Sequence, residues 1–115
     1  RYKNQMYLLH MGSNDLRSAK TAEHIAKEIM DVALSIKTQE NCVSISSITH
    51  RADNVRFNTK AMKVNDLLKS MCDNHDLGYI NNSNITSKDL NFSNIHLSES
   101  GTVKLANNFL DHINA

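Results

Sequence analysis

Short apolar runs alternate along this chain with amphipathic stretches, and this alternation constrains the fold most. The apolar runs are typical of strands and predict them at residues 4–10, 42–48 and 77–80. Apolar residues at three- and four-residue spacing predict helices over 19–36, from 56 or 58 to 75, and over 100–113. Strands that alternate with helices of this length favour parallel βαβ units. The sequence therefore predicts one α/β domain with a parallel sheet.

The two ends of this pattern carry further expectations. The first strand is apolar throughout Met6–Leu9, which is typical of a strand that is buried between neighbours on both sides. In this chain it would lie at an edge, so we expect further strands to precede Arg1. Near the other end, residues 81–100 are rich in Asn and Ser and show no helical period. A loop of that length in a small domain is usually functional or mobile.

Composition excludes several classes of function. The net charge is +1 and no run of Lys and Arg exceeds two residues, so nothing indicates nucleic acid. No apolar run approaches the ~18 residues of a membrane span, and no signal peptide is visible. The cysteines, Cys42 and Cys72, do not make a disulfide framework, which favours an intracellular location. No His/Cys spacing matches a zinc site, and we expect neither a metal nor a cofactor.

A polar turn, Gly12-Ser13-Asn14-Asp15, follows the first predicted strand. Open α/β sheets keep their functional residues at the carboxyl ends of strands. Glycine can adopt the positive φ of a tight turn, and the amide of Asn14 could stabilise an oxyanion during acyl transfer. Asp15 could orient its neighbours or cap the next helix. Alternatively, these four residues only favour the formation of a tight turn and have no catalytic role.

The second candidate, His96, lies in the long loop just before the last helix. A histidine there can act as a general base. Such a base is usually oriented by a carboxylate three residues earlier, but that position is Ser93, which cannot supply the charge. Asp89 and Glu99 are the nearest acidic residues on either side. A loop histidine without a catalytic role is the alternative.

Together these blocks resemble the SGNH hydrolases, the GDSL-like lipase/esterase family. Residues 10–16 (HMGSNDL) resemble its Gly-x-Asn-Asp block, and residues 93–97 (SNIHL), followed by Gly101, resemble its terminal histidine block. Residues 46–53 look like the family's intervening strand and loop, while 64–65 and 79–80 fall where it has its next helix and strand. The blocks keep the family's order along essentially the whole chain. The likeness is closest to domains found beside retroelement-like reading frames in invertebrates.

The resemblance implies a flavodoxin-like three-layer α/β/α sandwich, incomplete at its first strands, and hydrolysis of small esters without a metal. Residues 1–115 would then be the C-terminal part of a single domain. Asn14 would be an oxyanion-hole donor on a turn shaped by Gly12, and His96 would activate a serine. Asp15 would hold the loop structure, and Ser93 would stand at the place of the acidic partner.

Two departures keep other functions open. The family's Gly-Asp-Ser nucleophile block and a further glycine block are absent from this chain, so activity would need sequence before Arg1. The alternative is a catalytically inactive scaffold that binds a partner or a glycan, or a degenerate remnant. A response-regulator-like or nucleotide-binding domain would need acidic clusters or a glycine-rich loop at the end of the first strand, and neither is present. If strands are missing, the first strand exposes an apolar edge and we expect self-association.

Overall fold

A computed structural model describes residues 5–12, 15–49, 51, 54–92 and 96–115 of the chain. Its parallel strands are β1 (Gln5–Leu9), β2 (Asn41–Ser46) and β3 (Gly78–Ile80), which lie side by side in that order. The long helices are α1 (Ala22–Ile36), α2 (Val55–Asn74) and α3 (Glu99–Ile113). Single turns of 3₁₀ helix form at Asp15–Arg17 and Ser87–Asp89. The predicted α/β class with a parallel sheet is confirmed.

The side chains of β2 show why the domain has three layers. Val43 and Ile45 are buried in the main hydrophobic core, which α1 and α2 cover from one face of the sheet. Ser44 and Ser46 alternate with them and point to the opposite face, where Ser44 contacts His112 of α3. The core itself is built mainly from branched aliphatic residues of both helices, among them Ile25, Ile29, Val64 and Leu68. Helices therefore cover both faces, and the three-layer sandwich is confirmed.

Strand β1 lies at an edge of this sheet. It pairs with β2 from Gln5 opposite Asn41 to Leu9 opposite Ile45, and no described strand pairs with its other side. Tyr7 and Leu9 pack against the core, whereas Met6 on the other face is 44% exposed. The expected edge position of β1 is therefore confirmed among the described strands.

The start of α1 differs from the prediction. The periodicity places it at Ala19 with Asp15 or Ser18 as the cap, but the helix begins at Ala22 and is capped by Thr21, whose Oγ1 accepts from the His24 N–H at 3.1 Å. The hydroxyl of Ser18 instead donates to the carbonyl of Asp15 at 2.6 Å. This local bond holds the chain in a 3₁₀ turn, because serine side chains compete with helical bonding.

Candidate active site

Gly12 forms a turn at the carboxyl end of β1 whose backbone conformation favours glycine. Its φ is +104°, and a Cβ built on it would lie 2.9 Å from Cδ1 of Ile29 and 3.3 Å from Cδ1 of Ile48. The first of these distances is shorter than real contacts allow, and the backbone conformation strains every other residue type. Ser13 and the predicted oxyanion donor, Asn14, lie outside the described residues.

Asp15 ties this turn to the start of the first helix. Its N–H donates to the carbonyl of Gly12 at 3.2 Å, and its own carbonyl accepts from the N–H of Ser18 at 3.0 Å. Its carboxylate lies 4.0 Å from the ammonium group of Lys20. These contacts are those of a residue that holds the loop structure. A role of Asp15 in supporting catalysis stays a prediction.

His96 lies in a loop that has more structure than the sequence predicted. Leu90 and Leu97 form an antiparallel bridge across it. Beside this bridge, the N–H of Asn91 donates to the carbonyl of His96 at 2.8 Å. His96 is an exposed residue. Ser93, at the position of the acidic partner, lies outside the described residues.

Buried Asp89 anchors the base of this loop. Its carboxylate accepts from the backbone N–H of Thr86 at 3.0 Å, from Lys104 Nζ at 2.9 Å and from the Ser100 hydroxyl at 3.1 Å. The Thr86 N–H first, and then Lys104, lower the pKa of Asp89 to about 2. Its backbone carbonyl also accepts from the N–H of Ser98 at 2.8 Å, so the loop is fixed to the first turn of α3.

Contacts on the α3 face connect the two candidate halves of the site. The ring of His10, at the end of β1, meets the ring of Phe109 edge-on at 6.3 Å between centroids. Phe109 belongs to α3, the helix that begins just after the His96 loop. The residue directly after β1 therefore contacts the helix that follows His96.

The structure shows a buried polar network that the sequence analysis missed. Asn82, only 2% exposed, bonds to Ser46 and Ser47 of the β2 region and to Asn108 of α3. The available signal was the serine at every second position of β2, which places hydroxyl groups on one face. Because His10 also contacts Ser46, this network reaches the end of β1.

A cavity of about 500 Å³ opens between α2 and the segment that follows β3. Ile48, Tyr79 and Ile85 give it apolar walls, while Asp66 and Lys69 supply charge. Neither Gly12 nor His96 is among the described residues that line it. Within the described ranges, no three His, Cys, Asp or Glu side chains are grouped to hold a metal ion. No helix in this part of the chain is long and apolar enough to span a membrane.

Comparison with known proteins identifies the fold through structures alone. Neither a family model nor a curated protein matches the sequence. Among solved structures, a carbohydrate acetylesterase from Sinorhizobium meliloti is similar with a TM-score of 0.81 at 17% identity, over 96% of this chain and 60% of that one. An aryl esterase from M. smegmatis has a TM-score of 0.80 at 12% identity, over 96% and 60% of the two chains.

A third similar structure is a member of the lipolytic G-D-S-L family from Veillonella parvula. Its TM-score is 0.78 at 18% identity, and the match covers 92% of this chain and 61% of that one. The chain thus spans about 60% of the length of these solved structures. Over nearly its whole length, the chain has the α/β fold of these three proteins.

Proposed function

We propose that this chain is part of an SGNH-type serine hydrolase that cleaves ester bonds of small or acyl-bearing substrates. The observation that carries the proposal is the positive-φ turn of Gly12 at the end of β1, on a fold shared with two esterases and a member of the lipolytic G-D-S-L family. Turns at this edge of a parallel sheet are where α/β enzymes place reacting groups. The sequence directly after Gly12 supplies an asparagine amide, which suits an oxyanion donor.

In this proposal each candidate residue has one role. His96 takes the proton from a serine hydroxyl as that oxygen attacks the ester carbonyl, and then gives it to the departing alcohol. Asn14 donates hydrogen bonds to the oxyanion that forms. Gly12 and Asp15 shape the turn, and Ser93, three residues before the base in sequence, lacks the charge of a carboxylate. The nucleophilic serine comes from a Gly-Asp-Ser block outside these 115 residues, which form the C-terminal part of the catalytic domain.

The surroundings of His96 support an ester with an apolar portion. Phe92 is 99% exposed and directly follows Asn91, whose backbone is bonded to that of His96. An exposed phenyl ring in the same loop as His96 offers an apolar surface for an acyl or aryl group. We therefore expect hydrolysis of short-chain and aryl esters.

The test is the rate of p-nitrophenyl acetate hydrolysis by the full-length protein. Asn14→Ala should lower kcat by roughly 10²–10³-fold, the usual loss when an oxyanion donor is removed. KM should change little, because the donor acts mainly on the transition state. Asn107→Ala, which changes an exposed asparagine of α3, is the matched control and should keep the wild-type rate. Equal rates for the wild type and Asn14→Ala would contradict the proposal.

A second candidate function is a catalytically inactive scaffold that binds a partner or a glycan, derived from a retroelement-associated hydrolase. Serine at position 93 and the absence of a Gly-Asp-Ser block from this chain favour it. Removing one member of a catalytic triad usually destroys most of the rate. A folded full-length protein whose ester hydrolysis does not exceed the buffer rate would select this second function.

A further inference from the structure

A continuous row of polar side chains crosses the α3 face of the sheet. Asn108 Nδ2 lies 2.9 Å from Asn82 Oδ1, and Asn82 Nδ2 lies 2.7 Å from Ser46 Oγ. Ser46 Oγ in turn lies 2.8 Å from His10 Nδ1. These four residues, here called the polar row, join the middle of α3 to the last residue before the Met11–Gly12 turn.

The chemistry of Asn82 fixes the direction of these bonds. The backbone carbonyl of Ser47 can only accept, and it lies 2.8 Å from the Asn82 side chain, so the atom that faces it is Nδ2. The other hydrogen of this nitrogen goes to Ser46 Oγ. The remaining atom, Oδ1, must accept, and Asn108 is the donor.

The same reasoning extends to His10. Ser46 is 1% exposed, and its oxygen already accepts from Asn82. Its own proton needs an acceptor, since leaving a buried hydroxyl unsatisfied is costly. His10 Nδ1 is the acceptor within reach, which makes His10 a neutral imidazole with its proton on Nε2. Burial lowers the pKa of His10 and so favours the same neutral form.

We propose that the polar row makes His10 a positioning residue for the esterase site, an inference that rests on the function proposed above. It locks the end of β1 against α3 through directed hydrogen bonds. Gly12 and the oxyanion donor follow this locked end, and His96 precedes this helix. The row therefore sets the placement of the oxyanion turn relative to the base.

The chain contains its own matched control, because Ser44 forms a second serine–histidine pair on the same face. Its Oγ lies 2.7 Å from Nε2 of His112, near the carboxyl end of α3. This pair also ties β2 to α3, but neither residue adjoins Gly12 or His96. Ser44→Ala removes a comparable buried bond without touching the polar row.

Nuclear magnetic resonance on the ¹⁵N-labelled protein tests the row without any assay of activity. We expect an unprotonated, hydrogen-bonded Nδ1 on His10 at neutral pH. Ser46→Ala should shift the amide signals of Gly12 and Asp15 and speed their hydrogen exchange, while Ser44→Ala should not. A protonated Nδ1, or equal effects of the two variants at Gly12, would overturn the proposal.

Steady-state kinetics on the full-length protein then tests the positioning role. Ser46→Ala should lower kcat on the order of tenfold with little change in KM, because the turn stays present but is held less accurately. Ser44→Ala should keep the wild-type kcat. Equal kcat values for Ser46→Ala and the wild type would overturn the proposal even if Asn14→Ala is impaired.

Asn108→Ala and Asn107→Ala provide a second matched pair should Ser46→Ala fail to fold. The first breaks the outer end of the polar row from a half-buried position, and the second changes its exposed neighbour. Only Asn108→Ala should alter the Gly12 amide. If the full-length protein does not hydrolyse esters, the proposed function is wrong. The amide signals of Gly12 would still report whether the polar row controls the turn.

Discussion

The ammonium nitrogen of Lys104 lies 2.9 Å from Oδ2 of Asp89, a carboxylate that is almost fully buried. This ion pair crosses from α3 to the base of the loop that carries His96. The backbone N–H of Thr86 bonds to the same carboxylate, so the charge has a second partner. The ionised carboxylate of Asp89 therefore holds the base of this loop to α3.

We predict that this anchor makes the protein unstable in strong acid. The pKa of Asp89 is lowered from 3.8 to about 2 in the folded state, so the unfolded chain takes up its proton first. The contribution to stability is therefore complete above pH 3.8 and is lost as the pH falls towards 2. Urea unfolding between pH 5 and 2 measures it.

Asp89→Asn should flatten this pH dependence and lower the stability at neutral pH. Asp31→Asn is the control, because Asp31 makes an exposed ion pair with Lys27 on α1. Pairs of that kind contribute about 0–1 kcal/mol. An identical acid profile for Asp89→Asn and the wild type would contradict the anchoring role.

Replacing Gly101 with alanine should destabilise the same junction. A Cβ at this position would lie 2.2 Å from the backbone oxygen of Asp89, so the loop or the helix must shift. We expect a cost of about 1–3 kcal/mol from this overpacking, against the gain of up to ~1 kcal/mol that alanine brings to a helix. Denaturant unfolding measures the difference. Thr102→Ala, an exposed neighbour, should change the stability far less, and equal losses would refute the close packing.

The two cysteines should differ in their reactivity. Cys72 is fully buried in the core, and this burial raises the pKa of its thiol to about 11. The reactive species is the thiolate, so Cys72 should resist iodoacetamide at pH 8 in the folded protein. Partly exposed Cys42 should react first, and both should react in urea. Mass spectrometry of digested peptides gives the two rates; rapid labelling of Cys72 without denaturant would contradict the packing of α2.

The exposed edge of β1 predicts that the 115-residue chain associates with itself. Backbone groups on one side of this strand face no described strand, and Met6 beside them is 44% exposed. Light scattering should show a mass that rises with concentration. Met6→Lys should reduce it, whereas Met62→Lys, at a 67% exposed methionine on α2, should not. A monomer at high concentration would count against this prediction.

Periodicity was sufficient to predict the class of the fold. The apolar spacing in α1 and α2 and the strand-like run at Met6–Leu9 needed only local patterns, so an α/β domain with a parallel sheet could be predicted. The start of α1 could not, because a single bond from Ser18 to the Asp15 carbonyl decides between two adjacent caps. Such competition between local hydrogen bonds leaves no periodic signal.

The site was predictable only in part. Glycine at position 12 has a local reason, because its φ is positive and a Cβ there would meet the side chain of Ile29. The polar row joins residues from four separate segments, so the serine spacing in β2 indicates a polar face but not its partners. The anchoring of Asp89 by Thr86 and Lys104 depends on the fold in the same way, although Asp89 was visible as an acidic residue near His96.

The most direct test of the account is ester hydrolysis by the full-length protein before and after His96→Ala. If His96 is the general base, kcat/KM for p-nitrophenyl acetate should fall by at least about 10²-fold. His24→Ala, at an exposed position on α1, should keep the wild-type value. Equal kcat/KM values for the wild type and His96→Ala would contradict the esterase account at its central residue.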